Sequence, residues 1–315
     1  MRVGVTCIQL IRDLEGFRPA LEEAGLELVV ASVPGQHLAG DDLVESLEGC
    51  EGVIAGDDRF TADVLERLPG LRAIAKWGIG VDGIDFDVAE RLGIEVTNTP
   101  GEFADEVADV IIAYITMLAR GLHLIDKGIR AGGWPKPAGR SLKGLTLGIV
   151  GLGSIGRAVV ARGRFLDMKV LGTDPSPASA GAARELGAQA VVLDDLLTGS
   201  DAIAVTAPHN ESTHHLLGPA EFGRMRSGVL LVNTGRGPVV DTGALVEALE
   251  DGTIAGAALD VLEEEPPGTD HPLRRFDNVI FGSHNASNTL EASHRVHRRT
   301  ISNLASSLGI EVRLP

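Results

Sequence analysis

Three glycines in the segment GIVGLGSIGRAVV have the spacing of a nucleotide-binding turn. Gly151, Gly153 and Gly156 follow the apolar run LGIV and precede a helical pattern. In a GxGxxG turn the first glycine allows a tight bend, the second lets the backbone approach a pyrophosphate, and the third lets helix and strand touch. The amides of Ser154 and Ile155 would face that anion at the positive end of the helix. The segment therefore predicts a dinucleotide site.

A carboxylate follows the glycine turn at the separation in sequence that such a site requires. Asp174 lies eighteen residues after Gly156, at the end of the next apolar run, KVLGT. A carboxylate there accepts hydrogen bonds from both hydroxyls of the adenine ribose and repels a 2'-phosphate, which favours NAD over NADP. The alternative interpretation is that Asp174 caps a helix beginning near Ser179.

Three further candidates for chemistry stand at breaks after apolar runs. They are Arg236 in LLVNTGRGPVVD, Glu265 in ALDVLEEEPP and His284 in NVIFGSHNASNT. The carboxyl ends of parallel strands line the cofactor crevice of an open sheet, so all three are predicted near the nicotinamide. By itself an arginine in this position is more often a surface ion pair. Periodicity does not distinguish Glu265 from Glu263 and Glu264.

The order of apolar runs and helical patterns predicts how these residues are positioned. The first hundred residues alternate the runs VGVTC, LELVV, GVIAG, LRAIAKW and IEVTN with helical patterns, which predicts a small parallel sheet. A long helix is predicted from Glu102 to about Arg120. After the connector AGGWPKPAGRSLKG, a second series begins with seven candidate strands: LTLGIV, MKVLGTD, AQAVV, AIAVTA, GVLLVNT, AGAALDV and NVIFGS.

A last helix is predicted from Leu290 to Leu308, and we expect it to return to the first domain. The fold class is therefore predicted as α/β with two doubly wound parallel sheets, a Rossmann NAD-binding domain inserted in a flavodoxin-like substrate domain. The predicted boundaries are residues 1–98 plus 288–315 for the substrate domain and 99–287 for the NAD-binding domain.

These segments, together with KWGIGVDGID, resemble the D-isomer-specific 2-hydroxyacid dehydrogenase family, to which the phosphoglycerate dehydrogenases belong. The resemblance covers essentially the whole chain, since NTGRG, ALDVLEEEPP and the SHNAS histidine occur in the family's order and spacing. It implies that Arg236 binds the carboxylate and carbonyl region of the substrate. His284 would be the acid/base, and Glu265 would orient its ring and favour the protonated form.

The resemblance also implies further contacts with cofactor and substrate. Asp260 would receive the nicotinamide carboxamide, and the other implied cofactor contacts are Thr206, Ala207, Thr234, Arg236 and His284. The amides of Gly78, Ile79 and Gly80 would hold the substrate carboxylate. Lys76 is open to two interpretations: it reaches a substrate anion, or it is a solvated strand end.

The implied activity is NAD-dependent hydride transfer to or from a small D-2-hydroxy acid or 2-oxo acid, with phosphorylated and phosphonate-bearing substrates left open. Phosphoglycerate dehydrogenases commonly place arginine near the end of the strand in VIAGDDRFTADVL. Here Ala55, Gly56, Asp57 and Asp58 stand there, so phosphate recognition would depend on Lys76 or on the later arginine, Arg59. The chain ends at Pro315, and no regulatory domain of the kind that some members append is expected.

Two other functions remain open. One is an NAD-responsive binding protein, as in the corepressor branch of the same fold, in which the three candidate residues can be kept. The other is oxidation of formate or phosphite on a related scaffold. Turnover of NADH with 2-oxo acids would distinguish these possibilities.

Composition limits the partners and the compartment. The 315 residues include 28 lysines and arginines against 44 acidic residues, a net charge of -16, which argues against nucleic acid and anionic membranes. A small anionic substrate would need a local cluster of positive groups. No metal site is expected, because only two cysteines, Cys7 and Cys50, occur; their number and the absence of a signal peptide or long apolar run predict a cytoplasmic protein.

Two further expectations concern assembly and the remaining histidines. A homodimer through the helix of residues 102–120 is implied by the resemblance. Four histidines in polar or helical-surface contexts are predicted to be solvated or incidental: His214, His215, His294 and His297.

Overall fold

The computed structural model describes all 315 residues, Met1–Pro315. Its strands and helices are numbered in chain order. The chain forms two compact units, one of residues Met1–Glu102 with Thr289–Pro315 and one of residues Phe103–Asn288. The second unit is thus inserted in the chain of the first.

The first unit is built on a parallel sheet of five strands in the order β2-β1-β3-β4-β5. Its strands are β1 (Arg2–Val5), β2 (Glu27–Val30), β3 (Gly52–Ala55), β4 (Ala73–Lys76) and β5 (Glu95–Thr97). Its helices are α1 (Ile8–Asp13), α2 (Arg18–Glu23), α3 (Gly40–Ser46), α4 (Ala62–Glu66), α5 (Phe86–Arg91) and, at the end of the chain, α13 (Leu290–Leu308). This strand order is that of flavodoxin-like folds.

The central strands of this sheet are covered on both faces. Every residue of β3 and β4 is buried, as expected for a parallel sheet between two layers of helices. On one side Leu43, Val64 and Leu65 pack against Ile74. Helix α13 packs against β3, β4 and β5, and its residues Leu304 and Leu308 contact Gly52.

The second unit is built on a parallel sheet of seven strands in the order β12-β11-β10-β9-β6-β7-β8. Its strands are β6 (Thr146–Val150), β7 (Lys169–Thr173), β8 (Gln189–Ala190), β9 (Ala202–Val205), β10 (Val229–Asn233), β11 (Ile254–Leu259) and β12 (Val279–Phe281). Its helices are α6 (Ala104–Arg120), α7 (Leu122–Arg130), α8 (Ser154–Phe165), α9 (Pro177–Glu185), α10 (Leu193–Gly199), α11 (Pro219–Phe222) and α12 (Thr242–Glu250). Counted from β6, the order is the Rossmann order 3-2-1-4-5-6 with one strand more.

The predicted fold class is confirmed. Each predicted strand is present, the long helix occupies Ala104–Arg120, and the last helix has the predicted bounds and belongs to the first unit. The connector of residues 131–144 is irregular and almost wholly exposed. The short helix α7, which directly follows α6, was not predicted.

No single helix is long and apolar enough to cross a membrane. The consecutive helices α6 and α7, bent by 65° at their junction, pass the same test only as a pair, and α6 carries buried core residues such as Ile111 and Ile115.

The prediction that His297 is solvated is wrong. The residue is 1% exposed, because it lies on the face of α13 that packs on the sheet with Val296, Thr300 and Ile301. Trp77 Nε1 donates to its Nδ1 at 2.9 Å. The other ring nitrogen, Nε2, therefore carries the proton and donates to Asp13 Oδ2 at 3.1 Å.

Burial lowers the pKa of His297 below its ordinary value; the hydrogen bond and charge of Asp13 oppose this shift, and the charge of His294 adds to it. In the unfolded chain a histidine has a pKa of about 6.5. As the pH falls through that value, the unfolded chain takes up the proton before the folded chain does. The free energy of unfolding therefore decreases on acidification until the folded pKa is passed.

We expect His297→Gln to weaken this pH dependence, because glutamine can accept from Trp77 and donate to Asp13 but does not titrate. Thermal midpoints at about pH 7.5 and about pH 5.5, on either side of the ordinary histidine pKa, measure it. The fall in midpoint should be smaller in this variant than in the wild type and in the control His294→Gln, whose side chain is exposed on the same helix. Equal falls in all three proteins would contradict the assignment.

Candidate active site

The glycine turn between β6 and α8 has the geometry that its spacing predicts. Gly151 has φ +97°, and a Cβ there would lie 2.8 Å from the nitrogen of Ala207. A Cβ on Gly156 would lie 2.0 Å from the carbonyl oxygen of Gly151, so only glycine lets α8 approach the end of β6 this closely. A Cβ on Gly153 would meet nothing within 4 Å. The turn is thus tightly packed at two glycines and open at the third.

The open side of the turn is the amino end of α8. This helix of twelve residues has Gly153 as its N-cap, no side-chain cap and no acidic residue in its first turn. The predicted pyrophosphate contacts, the amides of Ser154 and Ile155, lie in that turn. An uncapped helix end with room beside it fits the phosphates of a dinucleotide.

Asp174 lies just after β7 and is tied to the glycine turn. Its Oδ2 accepts from the nitrogen of Leu152 at 2.7 Å, and its Oδ1 accepts from the nitrogen of Ser176 at 2.8 Å. A carboxylate has about four acceptor positions, so both oxygens can still accept from ribose hydroxyls. The alternative that Asp174 caps α9 is wrong, because the N-cap is Ser176, whose hydroxyl accepts from Ser179.

Arg236 follows β10 in a turn that the preceding asparagine holds. Asn233 Oδ1 accepts from the nitrogen of Gly235, and its Nδ2 donates to the carbonyl of Arg236, both at 3.0 Å. A Cβ on Gly237 would lie 1.9 Å from the carbonyl carbon of Leu262. The TGRG turn therefore lies directly against the loop after β11, and Asn233, which the sequence analysis missed, positions it.

The loop after β11 brings Glu265 to His284. Glu265 Oε2 and His284 Nδ1 are 2.8 Å apart, and Glu265 Oε1 accepts from the nitrogen of Leu262 at 2.9 Å. The two side chains are 24% and 30% exposed, so the pair is partly withdrawn from water. With Nδ1 directed at the carboxylate, Nε2 is the ring nitrogen that points away from it, as in general acid/base histidines.

Burial by itself would raise the pKa of Glu265. The hydrogen bond and charge of His284, the N–H of Leu262 and the charge of Arg236 outweigh burial and lower that pKa. Glu265 is therefore a carboxylate at neutral pH, and its negative charge stabilises a protonated imidazole.

The structure distinguishes the three adjacent glutamates. Only Glu265 meets His284, whereas Glu263 contacts His215 Nε2 at 2.6 Å and accepts from the nitrogen of Thr242. Glu264 is exposed. His215, predicted to be solvated or incidental, is 38% exposed and pairs with Glu263 in the loop that carries Glu265.

Asp260, at the end of β11, holds the turn that carries the histidine. It is 5% exposed. Its carboxylate oxygens accept from the nitrogens of Asn285 and Ala286 at 3.2 and 3.0 Å, and its carbonyl accepts from the nitrogen of His284 at 2.7 Å. Burial, together with the charge of Asp260, raises the pKa of Tyr114 on α6. The sequence analysis missed this positioning role, and the carboxamide contact stays a prediction.

The remaining predicted cofactor contacts lie around the glycine turn. Thr206 Oγ1 donates to the carbonyl of Gly151 at 2.7 Å, and the backbone of Ala207 is the group nearest Gly151. Thr234 is 9% exposed and donates from its nitrogen to the carbonyl of Val205. All three follow the neighbouring strands β9 and β10, at the carboxyl edge of the sheet.

In the first unit, the Gly78–Gly80 segment follows β4, and the two residues after β5 form hydrogen bonds with it. Thr99 accepts at its Oγ1 from the nitrogen of Gly78 and donates to the carbonyl of Gly78, and Asn98 Nδ2 donates to the carbonyl of Ile79 at 2.7 Å. The amides of Ile79 and Gly80 donate to no group of the unit. Such paired amides suit an anion.

Lys76 is not a solvated strand end, so that interpretation is wrong. It is 7% exposed, and its Nζ donates to the carbonyl of Trp77 at 2.5 Å and lies 3.1 Å from Asp57 Oδ1. Arg59, the other residue considered for phosphate recognition, is exposed.

The family profile described as D-isomer specific 2-hydroxyacid dehydrogenase, NAD binding domain, matches residues 112–286, more than half of the chain. The chain belongs to the D-isomer-specific 2-hydroxyacid dehydrogenase family. The resemblance drawn from the motifs is confirmed, as are NAD as the cofactor and an NAD-dependent oxidoreductase as the class of enzyme.

Individual relatives cover most of this dehydrogenase. A glyoxylate reductase of Thermofilum pendens is 40% identical over 264 residues, 80% of this chain and 76% of that protein. A D-3-phosphoglycerate dehydrogenase of Archaeoglobus fulgidus is 35% identical over 303 residues, 94% of this chain and 56% of that protein. The structure of D-lactate dehydrogenase from Aquifex aeolicus, complexed with NAD and lactic acid, matches with a TM-score of 0.85 and 29% identity over 98% of this chain and 96% of that chain.

We expect Asp174→Ala to relax the preference of the dehydrogenase for NAD, because the variant lacks the carboxylate that would repel a 2'-phosphate. The ratio of kcat/KM with NADPH to kcat/KM with NADH should rise about tenfold or more. Asp195→Ala, an exposed acid on α10, makes the same change in net charge and should leave the ratio unaltered. An unaltered ratio in the Asp174 variant would count against the ribose contact.

Proposed function

We propose that this dehydrogenase reduces a short 2-oxo acid, with glyoxylate as the representative substrate, to the corresponding hydroxy acid. The observation that carries the proposal is the 2.8 Å contact between Glu265 and His284, a paired acid/base at the carboxyl edge of an NAD-binding sheet. The 40% identity to a glyoxylate reductase supports the substrate class.

Bound NADH would supply the hydride that reduces the carbonyl carbon. In the proposed reaction the protonated ring of His284 donates its Nε2 proton to the carbonyl oxygen as the C–H bond forms, and the neutral ring takes up a proton from water afterwards. Glu265 remains a carboxylate and holds the ring by Nδ1. The overall change consumes the 2-oxo acid, NADH and one proton and yields the hydroxy acid and NAD.

Two groups are proposed to bind the substrate carboxylate. The guanidinium of Arg236 would contact it and polarise the carbonyl, because a planar fork of donors matches these oxygens. The amides of Ile79 and Gly80 in the first unit would donate hydrogen bonds to the carboxylate.

We further propose that the dehydrogenase is a homodimer that uses the α6–α7 segment. Helix α7 has no buried residue. Leu122, Leu124 and Ile129 on it and Trp134 just beyond are 37–77% exposed, and apolar side chains grouped in this way are typical of an interface. Both cysteines are free and buried, in keeping with the cytoplasmic location that we propose.

We expect His284→Ala to lower kcat for NADH oxidation with glyoxylate roughly 100-fold or more, since the general acid is lost. The dissociation constant of NADH, measured by quenching of protein fluorescence, should change little. Unchanged turnover would overturn the role of His284. Suppose that none of a panel of 2-oxo acids supports NADH oxidation by the wild type: this result would favour an NAD-responsive binding protein. Reduction of NAD with formate or phosphite would favour a formate or phosphite dehydrogenase.

We expect Glu265→Gln to shift the pH profile of the reductive reaction. Reduction requires the protonated ring, so turnover falls as the pH rises. The neutral amide no longer stabilises that proton, and the fall should therefore occur at a pH about one unit lower or more. Measurement of kcat between about pH 5 and pH 9 tests this, and a profile that only decreases in height would mean that Glu265 does not act on the proton.

A further inference from the structure

We propose that Asp57 determines substrate specificity by restricting the dehydrogenase to 2-oxo acids whose side chain carries no negative charge. The inference rests on the proposed function, because it concerns the same substrate. It is carried by the ion pair between the buried Lys76 and the exposed Asp57.

The ion pair stands at the carboxyl edge of the sheet in the first unit. Strands β3 and β4 are paired with Ala55 opposite Lys76, and Asp57 follows β3 by two residues. Lys76 Nζ lies 3.1 Å from Asp57 Oδ1. The lysine side chain is 8% exposed and the aspartate side chain 47% exposed. The carboxylate is therefore the partner that an approaching molecule meets first.

The same ion pair adjoins the amides proposed to hold the substrate carboxylate. Lys76 Nζ would lie 3.3 Å from a Cβ on Gly78, the first residue of the Gly78–Gly80 segment, and it donates to the carbonyl of Trp77. The ammonium therefore stands over the beginning of that segment. Its charge is already compensated by Asp57, so a second anionic group of a substrate finds no uncompensated cation there.

The residues on either side of Asp57, Gly56 and Asp58, are fixed by close packing and hydrogen bonds. Asp58 is 3% exposed and accepts from Thr6 Oγ1, the nitrogen of Leu38 and the nitrogen of Gly56 at 2.5, 2.8 and 3.1 Å. A Cβ on Gly56 would lie 3.3 Å from Cys7 Cα, which shows how closely the backbone is packed. Movement of the backbone at Asp57 would disturb these contacts.

The repulsion is large enough to decide between substrates. Two like charges about 6 Å apart at an effective dielectric constant of about 20 to 40 weaken binding roughly 10- to 100-fold, and Lys76, on the buried side of Asp57, offsets part of this repulsion. A neutral side chain, such as a hydrogen or a hydroxymethyl group, is not subject to this penalty.

The test compares two substrates that differ by one charge. Hydroxypyruvate has a neutral hydroxymethyl side chain, and oxaloacetate has a carboxymethyl side chain. We expect the ratio of kcat/KM for oxaloacetate to that for hydroxypyruvate to rise about tenfold or more in Asp57→Asn and Asp57→Ala. Asp57→Glu should retain the low ratio of the wild type. A change below about threefold in both neutral variants would overturn the proposal.

A matched control separates the local charge from the net charge. Asp63 on α4 is an exposed carboxylate of the same unit, paired with Arg67. Asp63→Asn changes the net charge by the same amount as Asp57→Asn and should leave the ratio unaltered. If Asp63→Asn raises the ratio as much as Asp57→Asn does, the effect is not that of Asp57, and the proposal fails.

A binding measurement distinguishes failure of this inference from failure of the proposed function. In a Trp134→Phe background Trp77 is the only tryptophan, and its fluorescence can report binding of D-lactate or D-malate to the NADH complex without turnover. D-Malate should bind at least about tenfold more weakly than D-lactate, and Asp57→Asn should remove most of that difference. The proposal would be overturned if the Trp134→Phe protein that retains Asp57 bound both acids equally, or if neither acid bound to any variant.

Failure of the Asp57 inference and failure of the proposed function give different results in these experiments. Absence of turnover with every 2-oxo acid would overturn the proposed function, while the binding difference and its loss in Asp57→Asn would still support the role of Asp57. Thermal midpoints of all variants show whether each is folded. If Asp57→Asn does not fold, Asp57→Ala carries both measurements.

Discussion

The contact between Glu265 and His284 is the interaction on which the chemistry depends. A carboxylate that is largely removed from water is disfavoured by desolvation, and an unpaired one would take up a proton. Here the imidazole, the N–H of Leu262 and the charge of Arg236 together keep Glu265 ionised. The groups that stabilise the carboxylate are thus themselves parts of the site, and removal of any one of them weakens the stabilisation of the charged form of Glu265.

Close backbone packing and hydrogen bonds from side chains to the backbone place these groups. Gly237 allows the arginine turn to lie against Leu262 with no room for a Cβ, and Asp260 holds the turn of His284 through two backbone nitrogens. Each of these residues follows a strand of the same parallel sheet. They lie together at the carboxyl edge of the sheet because every strand runs in the same direction.

Local charge, not net charge, governs what can bind. The chain carries a net charge of -16, but at physiological ionic strength exposed charges are screened over about 8 Å. Within that distance the decisive groups are few: in one unit Lys76 with Asp57, in the other Arg236 with Glu265. The acidic composition argues against polyanionic partners, and in the proposed function these local groups select the small anion.

The sequence by itself determined the features that depend on residues close together in the chain. Glycine spacing identified the turn at Gly151, alternation of apolar runs identified all twelve strands, and the family's motifs singled out Arg236 and His284. The tertiary structure alone decided the partners of residues far apart in the chain. It paired Glu263 with His215, assigned Asp260 to the histidine turn, and buried His297 against Trp77, 220 residues away. Local patterns reflect backbone geometry over a few residues, whereas such contacts depend on the order of strands in a sheet and on how helices pack against it.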